Sequence, residues 1–394
     1  MVRIGRPMLA TLTDLLAPVS LSDFLEEFRG RRCLHISATD PTRAETLLSW
    51  RDVDTLLSAH GLGENVGIWR DGVPVPRWFY TSNDGKTLKV RAFHDLLAQG
   101  ASIVVDGVHH SISQISQLAA AIEREMAIKT QVNAYLSFCK GGALKPHWDI
   151  HDVLVVQVLG RKQWRFWKPV VAHPVEFADG VAIDANTAPD REIELAPGDV
   201  LFIPRGEPHA AAVIAGRSVH LTIGLRSETG IDFLGYIHKK AAQDALLRMN
   251  LPRQVVDEQS DAHEVAIKRR LHHLVDATSM SQFVHDGDIS RSPAVQTAVS
   301  GVMPQMEDVL RLTLRRRVPL PDVREGEPEL VTIGGEARRL SPVSIDVLRW
   351  LFDHDPTTLR ALHAGLTPRY EQEPIESALR ELLRFGFLVV NRAG

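Results

Sequence analysis

Residues 146–167 read PHWDIHDVLVVQVLGRKQWRFW, and residues 198–209 read GDVLFIPRGEPH. In both stretches β-branched and aromatic residues are grouped between Gly and Pro, a pattern that predicts short β-strands. The same pattern extends over about residues 131–228, which we predict to form one run of closely spaced strands. Such a run is typical of an antiparallel sandwich or barrel.

The two stretches also contain three side chains of the kind that bind metals. His147 and Asp149 lie two residues apart, so on a strand they point to one face. His209 follows a strand and a turn that a sandwich can fold back beside the first strand. Two imidazoles and one carboxylate form the facial triad of non-haem Fe(II) oxygenases, which leaves open positions for a cosubstrate and O2. His147, Asp149 and His209 are therefore the candidate catalytic and Fe(II)-binding residues.

A lysine among aromatic residues gives a second signal. Alternation in the segment RKQWRFW places Lys162 on the same face as Trp164 and Phe166, and a buried lysine is costly unless it meets an anion. We interpret Lys162 as the partner of the far carboxylate of 2-oxoglutarate. Upstream, Asn133 and Tyr135 share one face of the strand QVNAYLSF. They are either further contacts of this cosubstrate or a satisfied polar pair in the core.

Together these motifs resemble the JmjC-type ribosomal oxygenases, cupin-fold Fe(II)/2-oxoglutarate enzymes that include bacterial arginyl and human nucleolar histidyl hydroxylases. The resemblance rests on N-A-Y at 133–135, on the two stretches quoted above and on their order. It implies that the candidate triad holds iron and that Lys162 pairs with the C5 carboxylate of 2-oxoglutarate. It also implies that Asn133, Tyr135 and Thr222 line the cosubstrate pocket. A lysine at position 162 follows the histidyl branch, whereas the arginyl branch has arginine there.

The rest of the chain predicts two further units. Residues 230–305 carry apolar residues three and four apart, which indicates helices, and residues 306–394 contain two helical stretches and a closing strand. We predict a mixed α+β chain with a double-stranded β-helix (cupin, jelly-roll) catalytic domain at residues 1–229, including N-terminal helical elements. A helical dimerisation module and a C-terminal winged-helix domain follow, in the order that the resemblance implies, and the resemblance points to a homodimer.

Composition indicates a globular protein and argues against a membrane protein and a DNA-binding protein. The 394 residues include 45 Lys and Arg against 49 Asp and Glu, a formal net charge of −4, and 44% hydrophobic residues, which is ordinary globular composition. Two cysteines and the lack of a long apolar run indicate a cytoplasmic protein outside membranes. Residues 301–394 hold 13 Lys and Arg against 14 Asp and Glu, so the arginine run at 315–317 does not predict direct DNA binding.

The predicted function is an Fe(II)/2-oxoglutarate-dependent dioxygenase that hydroxylates a side chain of a polypeptide. The resemblance implies a ribosomal protein as the substrate and a histidyl or arginyl residue as the target. Two alternatives remain open at this point, an oxygenase that tailors a small molecule or peptide product and a non-catalytic metal-binding cupin. Demethylation also stays open, because hydroxylation of an N-methyl group uses the same chemistry.

Overall fold

The computed structural model describes residues 9–58, 62–70, 72–138, 141–142, 145–175, 187–251, 258–294, 304–323 and 326–392. Parts of the predicted dimerisation module, at residues 252–257 and 295–303, lie outside the described residues. Within the described ranges, no helix combines the length and the apolar character that a membrane crossing requires.

Strands dominate the first part of the chain. The strands are β1 Leu34–Ile36, β2 Val66–Arg70, β3 Val73–Pro74, β4 Ser102–Val105, β5 Lys129–Ser137, β6 Gly141–Gly142, β7 Asp152–Phe166, β8 Arg191–Leu195, β9 Val200–Ile203, β10 His209–Arg226, β11 Val309–Leu312, β12 Glu329–Ile333, β13 Glu336–Leu340, β14 Thr357–Thr358 and β15 Leu388–Asn391. In the described part of the chain the first ten form a single sheet, in the order β1-β9-β7-β10-β5-β4-β2-β3, with β6 paired to β10 and β8 to β7. The pairs are antiparallel, which confirms the predicted run of strands.

Helices precede, interrupt and follow this sheet. They are α1 Leu12–Leu16, α2 Leu21–Asp23, α3 Trp50–Ser58, α4 Arg77–Tyr80, α5 Val90–Ala98, α6 Ser113–Met126, α7 Gly230–Ala241, α8 Glu258–Ala277, α9 Met280–Ser290, α10 Pro342–His354, α11 Leu359–Leu366 and α12 Gln372–Arg384. Helices α7 to α9 confirm the helical character predicted after the sheet. A π-helix at Phe24–Phe28 and short 3-10 turns complete the N-terminal part.

The longest strands, β7 and β10, position the candidate site. The segments HDVLVVQVLG and KQWRFW belong to one continuous strand, β7. The pairing of β7 with β10 shifts register at Gly160, but the strand does not end there. Gly160 has φ +69°, and a Cβ there would lie 2.0 Å from the carbonyl oxygen of Arg217 on β10. Only glycine allows this close approach, so Lys162 and the residues after it stay paired with the first half of β10.

The first half of strand β7, residues 152–158, is buried on both faces. Val153 and Val155 pack in a small cluster with Trp164, which lies on the same strand. Leu154 and Val156 belong to the main core, which also contains the apolar face of α6. Burial on both sides explains why this segment reads as a nearly continuous apolar run instead of an alternating one.

Helix α6 joins the sheet to the C-terminal unit. Glu123 is 0% exposed and accepts hydrogen bonds from the guanidinium groups of Arg291, which follows α9, and Arg315. The next residue, Arg124, forms a buried ion pair with Asp355 of the C-terminal unit. The helical module and the C-terminal unit are therefore tied to the same helix.

The C-terminal unit is more elaborate than the predicted order of two helices and a strand. Helices α10 and α12 and strand β15 lie where the sequence pattern predicts them. The structure adds α11, the β12–β13 hairpin, and a small sheet in which β11 lies between β14 and β15. Leu348, Leu379 and Leu382 belong to a separate core that this unit buries.

Candidate metal and cosubstrate site

The three predicted metal ligands lie together where β10 begins, beside the segment that precedes β7. His147 and His209 face each other through two main-chain hydrogen bonds, of 3.1 Å from His147 N to His209 O and 2.8 Å from His209 N to His147 O. The carbonyl of Asp149 accepts a hydrogen bond of 2.9 Å from the N–H of Gly206. One ligand atom from each of the three side chains lies within 4.8 Å of the others. The backbone thus brings His209 beside His147 and Asp149, which lie about 60 residues before it in the sequence.

Hydrogen bonds to the backbone orient both imidazoles. The Nδ1 of His147 lies 2.9 Å from the carbonyl oxygen of Lys145, and the Nδ1 of His209 lies 3.0 Å from that of Glu207. Carbonyl oxygens accept, so each ring carries its hydrogen on Nδ1 and keeps the lone pair of Nε2 free. Burial, followed by the nearby His147, lowers the pKa of His209 to about 4. A neutral imidazole is the form that binds a metal, so this donor set fits Fe(II).

A cavity extends from the triad to Lys162. The described residues that line it are Tyr135, His147, Asp149, Val153, Lys162, Trp164, His209, Ala211, His220 and Thr222. Lys162 is 3% exposed, and burial alone lowers its pKa to about 7. Among the described residues it has no acidic partner, and its Nζ lies 2.9 Å from Nδ1 of His220. A buried amine without a counter-charge at the end of a cavity favours the binding of an anion.

The other predicted cosubstrate contacts differ in position. Tyr135 and Thr222 line the cavity, and burial, with a smaller contribution from Asp149, raises the pKa of Tyr135. Asn133 is absent from the described lining residues. Its Oδ1 instead accepts a hydrogen bond of 3.0 Å from the N–H of the half-buried Gly107. Six of the seven predicted site residues therefore meet around one cavity.

Two further side chains of the cavity were not predicted as functional. His220 stacks on Tyr135 with ring centroids 4.8 Å apart and planes 10° from parallel, and it contacts Lys162 as described above. The Nε1 of Trp164 is a buried donor with no hydrogen-bond partner among the described residues. It is therefore free to donate to a ligand bound in the cavity. The signal for His220 lies in the sequence VHLT, where alternation places it on the face of Thr222.

Comparison with known proteins confirms the resemblance to the ribosomal oxygenases. The family model of the JmjC domain matches residues 108–233. Ribosomal oxygenase 2 of Rattus norvegicus is 28% identical over 256 residues, which cover 62% of this chain and 54% of that protein. The Bos taurus protein of the same name is 24% identical over 349 residues, or 78% of this chain and 71% of its own length. The chain thus spans about half the length of the rat relative.

A second group of relatives is named for two activities. The bifunctional lysine-specific demethylase and histidyl-hydroxylase NO66 of Drosophila persimilis is 26% identical over 218 residues, which cover 54% of this chain and 31% of that protein. Among solved structures, Escherichia coli YcfD matches with a TM-score of 0.57 at 19% identity, covering 95% of this chain and 98% of its own. This likeness shows a shared JmjC/cupin fold with mixed helix and sheet.

Proposed function

We propose that this chain, which carries a JmjC domain at residues 108–233, is an Fe(II)- and 2-oxoglutarate-dependent oxygenase that hydroxylates a side chain of a polypeptide. One observation carries the proposal. The triad of His147, Asp149 and His209 opens into the same cavity as Lys162, a buried cation without an acidic partner among the described residues. A metal site and an anion site in one cavity fit a metal-chelating 2-oxo acid with a second carboxylate.

The polar residues of the cavity divide between metal binding and cosubstrate binding in this mechanism. His147, Asp149 and His209 would hold Fe(II) on one face, and the bound metal, with 2-oxoglutarate and O2, supplies the oxidant that cleaves an unactivated C–H bond. Lys162 binds the C5 carboxylate, and its charge is effective because the buried site excludes water. The hydroxyls of Tyr135 and Thr222 are donors to the same cosubstrate, and the indole N–H of Trp164 is a third donor.

The names of the relatives and the shape of the surface support a polypeptide substrate. The relatives are named as ribosomal oxygenases or as a histidyl hydroxylase and demethylase, which supports a ribosomal protein as the substrate. A cleft that includes Ile150 and His151, the two residues after Asp149, is lined by groups of both signs, among them Arg205, Arg226, Glu228 and Asp232. An open cleft with mixed charges suits a segment of chain better than a small metabolite. One solved structure of YcfD is described as a complex with cobalt and 2-oxoglutarate, which supports this cosubstrate.

We also propose that residues 1–229 form the catalytic domain and residues 230–305 a module that makes a homodimer. Large apolar side chains on α7 to α9 are exposed in the single chain, among them Ile231, Leu234, Val265, Met280 and Val284. Covering such a surface with a second copy removes it from water. The proposed setting is the cytoplasm.

Residues 306–394 are proposed to be a winged-helix-like unit that contacts protein and not DNA. In the run at 315–317, Arg315 and Arg316 are paired with the buried Glu123, and Arg317 is paired with Asp353. Arg315 and Arg316 are therefore engaged within the chain, and the exposed Arg317 has its charge balanced by Asp353, so the run does not present three free cations to a phosphate backbone.

Succinate release from 2-oxoglutarate tests the proposal. Purified protein with Fe(II) and ascorbate is assayed with and without ribosomal proteins, beside His147→Ala and the exposed control His94→Ala. We expect the ribosomal proteins to stimulate turnover in the wild type and the control only, with one oxygen atom added to a single side chain by mass spectrometry. Iron-loaded wild type that releases no succinate under any of these conditions would contradict the proposal and indicate a non-catalytic cupin.

A further inference from the structure

We propose that His220 is a positioning residue, which accepts a hydrogen bond from the Lys162 ammonium and so aims this cation at the far carboxylate of 2-oxoglutarate. The inference rests on the proposed function, because it concerns the same cosubstrate. It adds a neutral imidazole that acts on Lys162 and not on the ligand itself.

The contact itself defines the roles of the two groups. Lys162 Nζ and His220 Nδ1 are 2.9 Å apart, and both side chains are 3% exposed. An ammonium donates hydrogen bonds and has no lone pair, so when Lys162 is charged, as it is with an anion bound, Nδ1 of His220 accepts and the ring hydrogen is on Nε2. One of the three N–H bonds of Lys162 is therefore directed at the imidazole, which fixes the directions of the other two.

Aromatic neighbours hold the His220 ring in place. One face stacks on Tyr135, which lies directly opposite on β5, and the ring meets Trp164 edge to face at 5.5 Å and 77°. A ring packed in this way cannot rotate away from the lysine. Nδ1 is thus a fixed acceptor and not an occasional one.

A neutral acceptor is what this position requires. A carboxylate next to Lys162 would neutralise the cation and compete with the carboxylate of the ligand. Burial, followed by the charge of Lys162, lowers the pKa of His220 well below its usual range, so the imidazole stays neutral. His220 can therefore orient the ammonium while leaving its charge for the ligand.

Two substitutions separate the acceptor from the ring. His220→Asn keeps an acceptor where Nδ1 lies and removes the ring, whereas His220→Phe keeps a ring and removes the acceptor. Calorimetry on Mn(II)-loaded protein measures the dissociation constant of 2-oxoglutarate without turnover. We expect binding within about threefold of wild type for the Asn variant and at least about tenfold weaker for the Phe variant, since a hydrogen bond to a charged group is lost.

A ligand without the far carboxylate provides the matched control. The difference between wild type and His220→Phe should disappear for 2-oxopentanoate, which has the 2-oxo acid but no second carboxylate. Equal weakening by both substitutions, or the same loss with 2-oxopentanoate, would show that His220 only packs and would overturn the inference. Should the Phe variant fail to fold, His220→Gln, which displaces the acceptor by one methylene, is expected to show the same loss.

The result for the wild type separates this inference from the proposed function. Wild-type protein that holds manganese and does not bind 2-oxoglutarate would overturn the proposed function and the role of His220 with it. Wild-type binding with an unaffected Phe variant would overturn the role of His220 alone.

Discussion

Two buried sets of charges in this molecule are built in opposite ways. In the cavity, Lys162 is 3% exposed and contacts the neutral His220. At the junction of α6 with the later units, Glu123 is 0% exposed and faces the guanidinium groups of Arg291, Arg315 and Arg316. The first charge lacks a counter-charge among the described residues, whereas the second has three.

Their pKa values reflect the difference. Burial alone lowers the pKa of Lys162 to about 7, so the site disfavours its own charge until an anion arrives. Burial also acts to raise the pKa of Glu123, but hydrogen bonds from Arg291 and Thr130 outweigh it, and the net shift is downward. A buried charge that the protein compensates holds the fold together, and one that it leaves uncompensated marks a place for a ligand.

Removing the compensated charge should have the largest effect. Glu123→Gln leaves three guanidinium groups facing a neutral amide, and we expect the free energy of unfolding to fall by about 3–5 kcal/mol. Urea denaturation followed by circular dichroism measures the change. Glu27→Gln, which breaks an exposed pair with Arg32, should change it by less than about 1 kcal/mol. Equal effects of the two substitutions would show that the buried charge of Glu123 stabilises the fold no more than the exposed charge of Glu27.

Removing the uncompensated charge should act on binding and not on folding. We expect Lys162→Met to weaken 2-oxoglutarate binding to Mn(II)-loaded protein about 100-fold, because the buried partner of the carboxylate is lost. The metal-free variant should be as stable as wild type or more stable, since a methionine of similar size removes a buried charge. The exposed Lys268→Met is the control for both measurements. A destabilised variant with unchanged binding would make Lys162 a structural residue.

The depressed pKa of Lys162 should also appear as a pH dependence. Between its folded pKa of about 7 and its usual value of 10.5, the unfolded chain holds a proton that the folded chain lacks, so stability rises with pH. From pH 7 to 8 we expect Lys162 to add about 1 kcal/mol to the free energy of unfolding of the metal-free protein. Affinity for 2-oxoglutarate should fall about fivefold over the same interval, because the ligand needs the charged amine.

The difference between wild type and Lys162→Met isolates this contribution from other titrating groups. Both pH slopes should be reduced in the variant. Slopes that are identical in the two proteins would assign the titration to another residue.

A neutral contact at the same junction should have the smallest effect. The side-chain amides of Gln117 on α6 and Asn391 on β15 exchange hydrogen bonds of 3.1 and 3.3 Å. We expect Asn391→Ala to lower the free energy of unfolding by about 1–2 kcal/mol, because two uncharged hydrogen bonds are lost. If Asn391→Ala lowers the free energy of unfolding as much as Glu123→Gln does, the charge of Glu123 is not the reason why this junction is stable.

The sequence predicted the parts of the site that depend on local alternation. His147 and Asp149, and Lys162 with Trp164, lie two residues apart on extended chain, so their shared faces follow from strand geometry. The segment that ends in His209 was predictable because Gly and Pro bound its strand. For the same reason the strands from residue 131 to 226 follow the predicted run closely.

Contacts between distant residues could not be predicted in this way. Lys162 and His220 are 58 residues apart, and Glu123 and Arg315 are 192 apart, so no local pattern records either pair. Asn133 shares a face with Tyr135 as predicted, yet its side chain satisfies the N–H of Gly107, 26 residues upstream. Strand register and the hydrogen-bonding needs of backbone groups decide such contacts, and both depend on the assembled sheet.

The main-chain pairing of His147 with His209 has a consequence for how the protein would respond to metal supply. Because the two imidazoles are held opposite each other by backbone hydrogen bonds, the entropy of bringing them together is lost during folding and not when a cation arrives. Removal of the metal ion by a chelator should therefore leave a folded protein that binds the ion again as soon as it is supplied. In a cell with fluctuating iron, such a chain would change between a metal-free, inactive form and a metal-bound, active form without new protein synthesis.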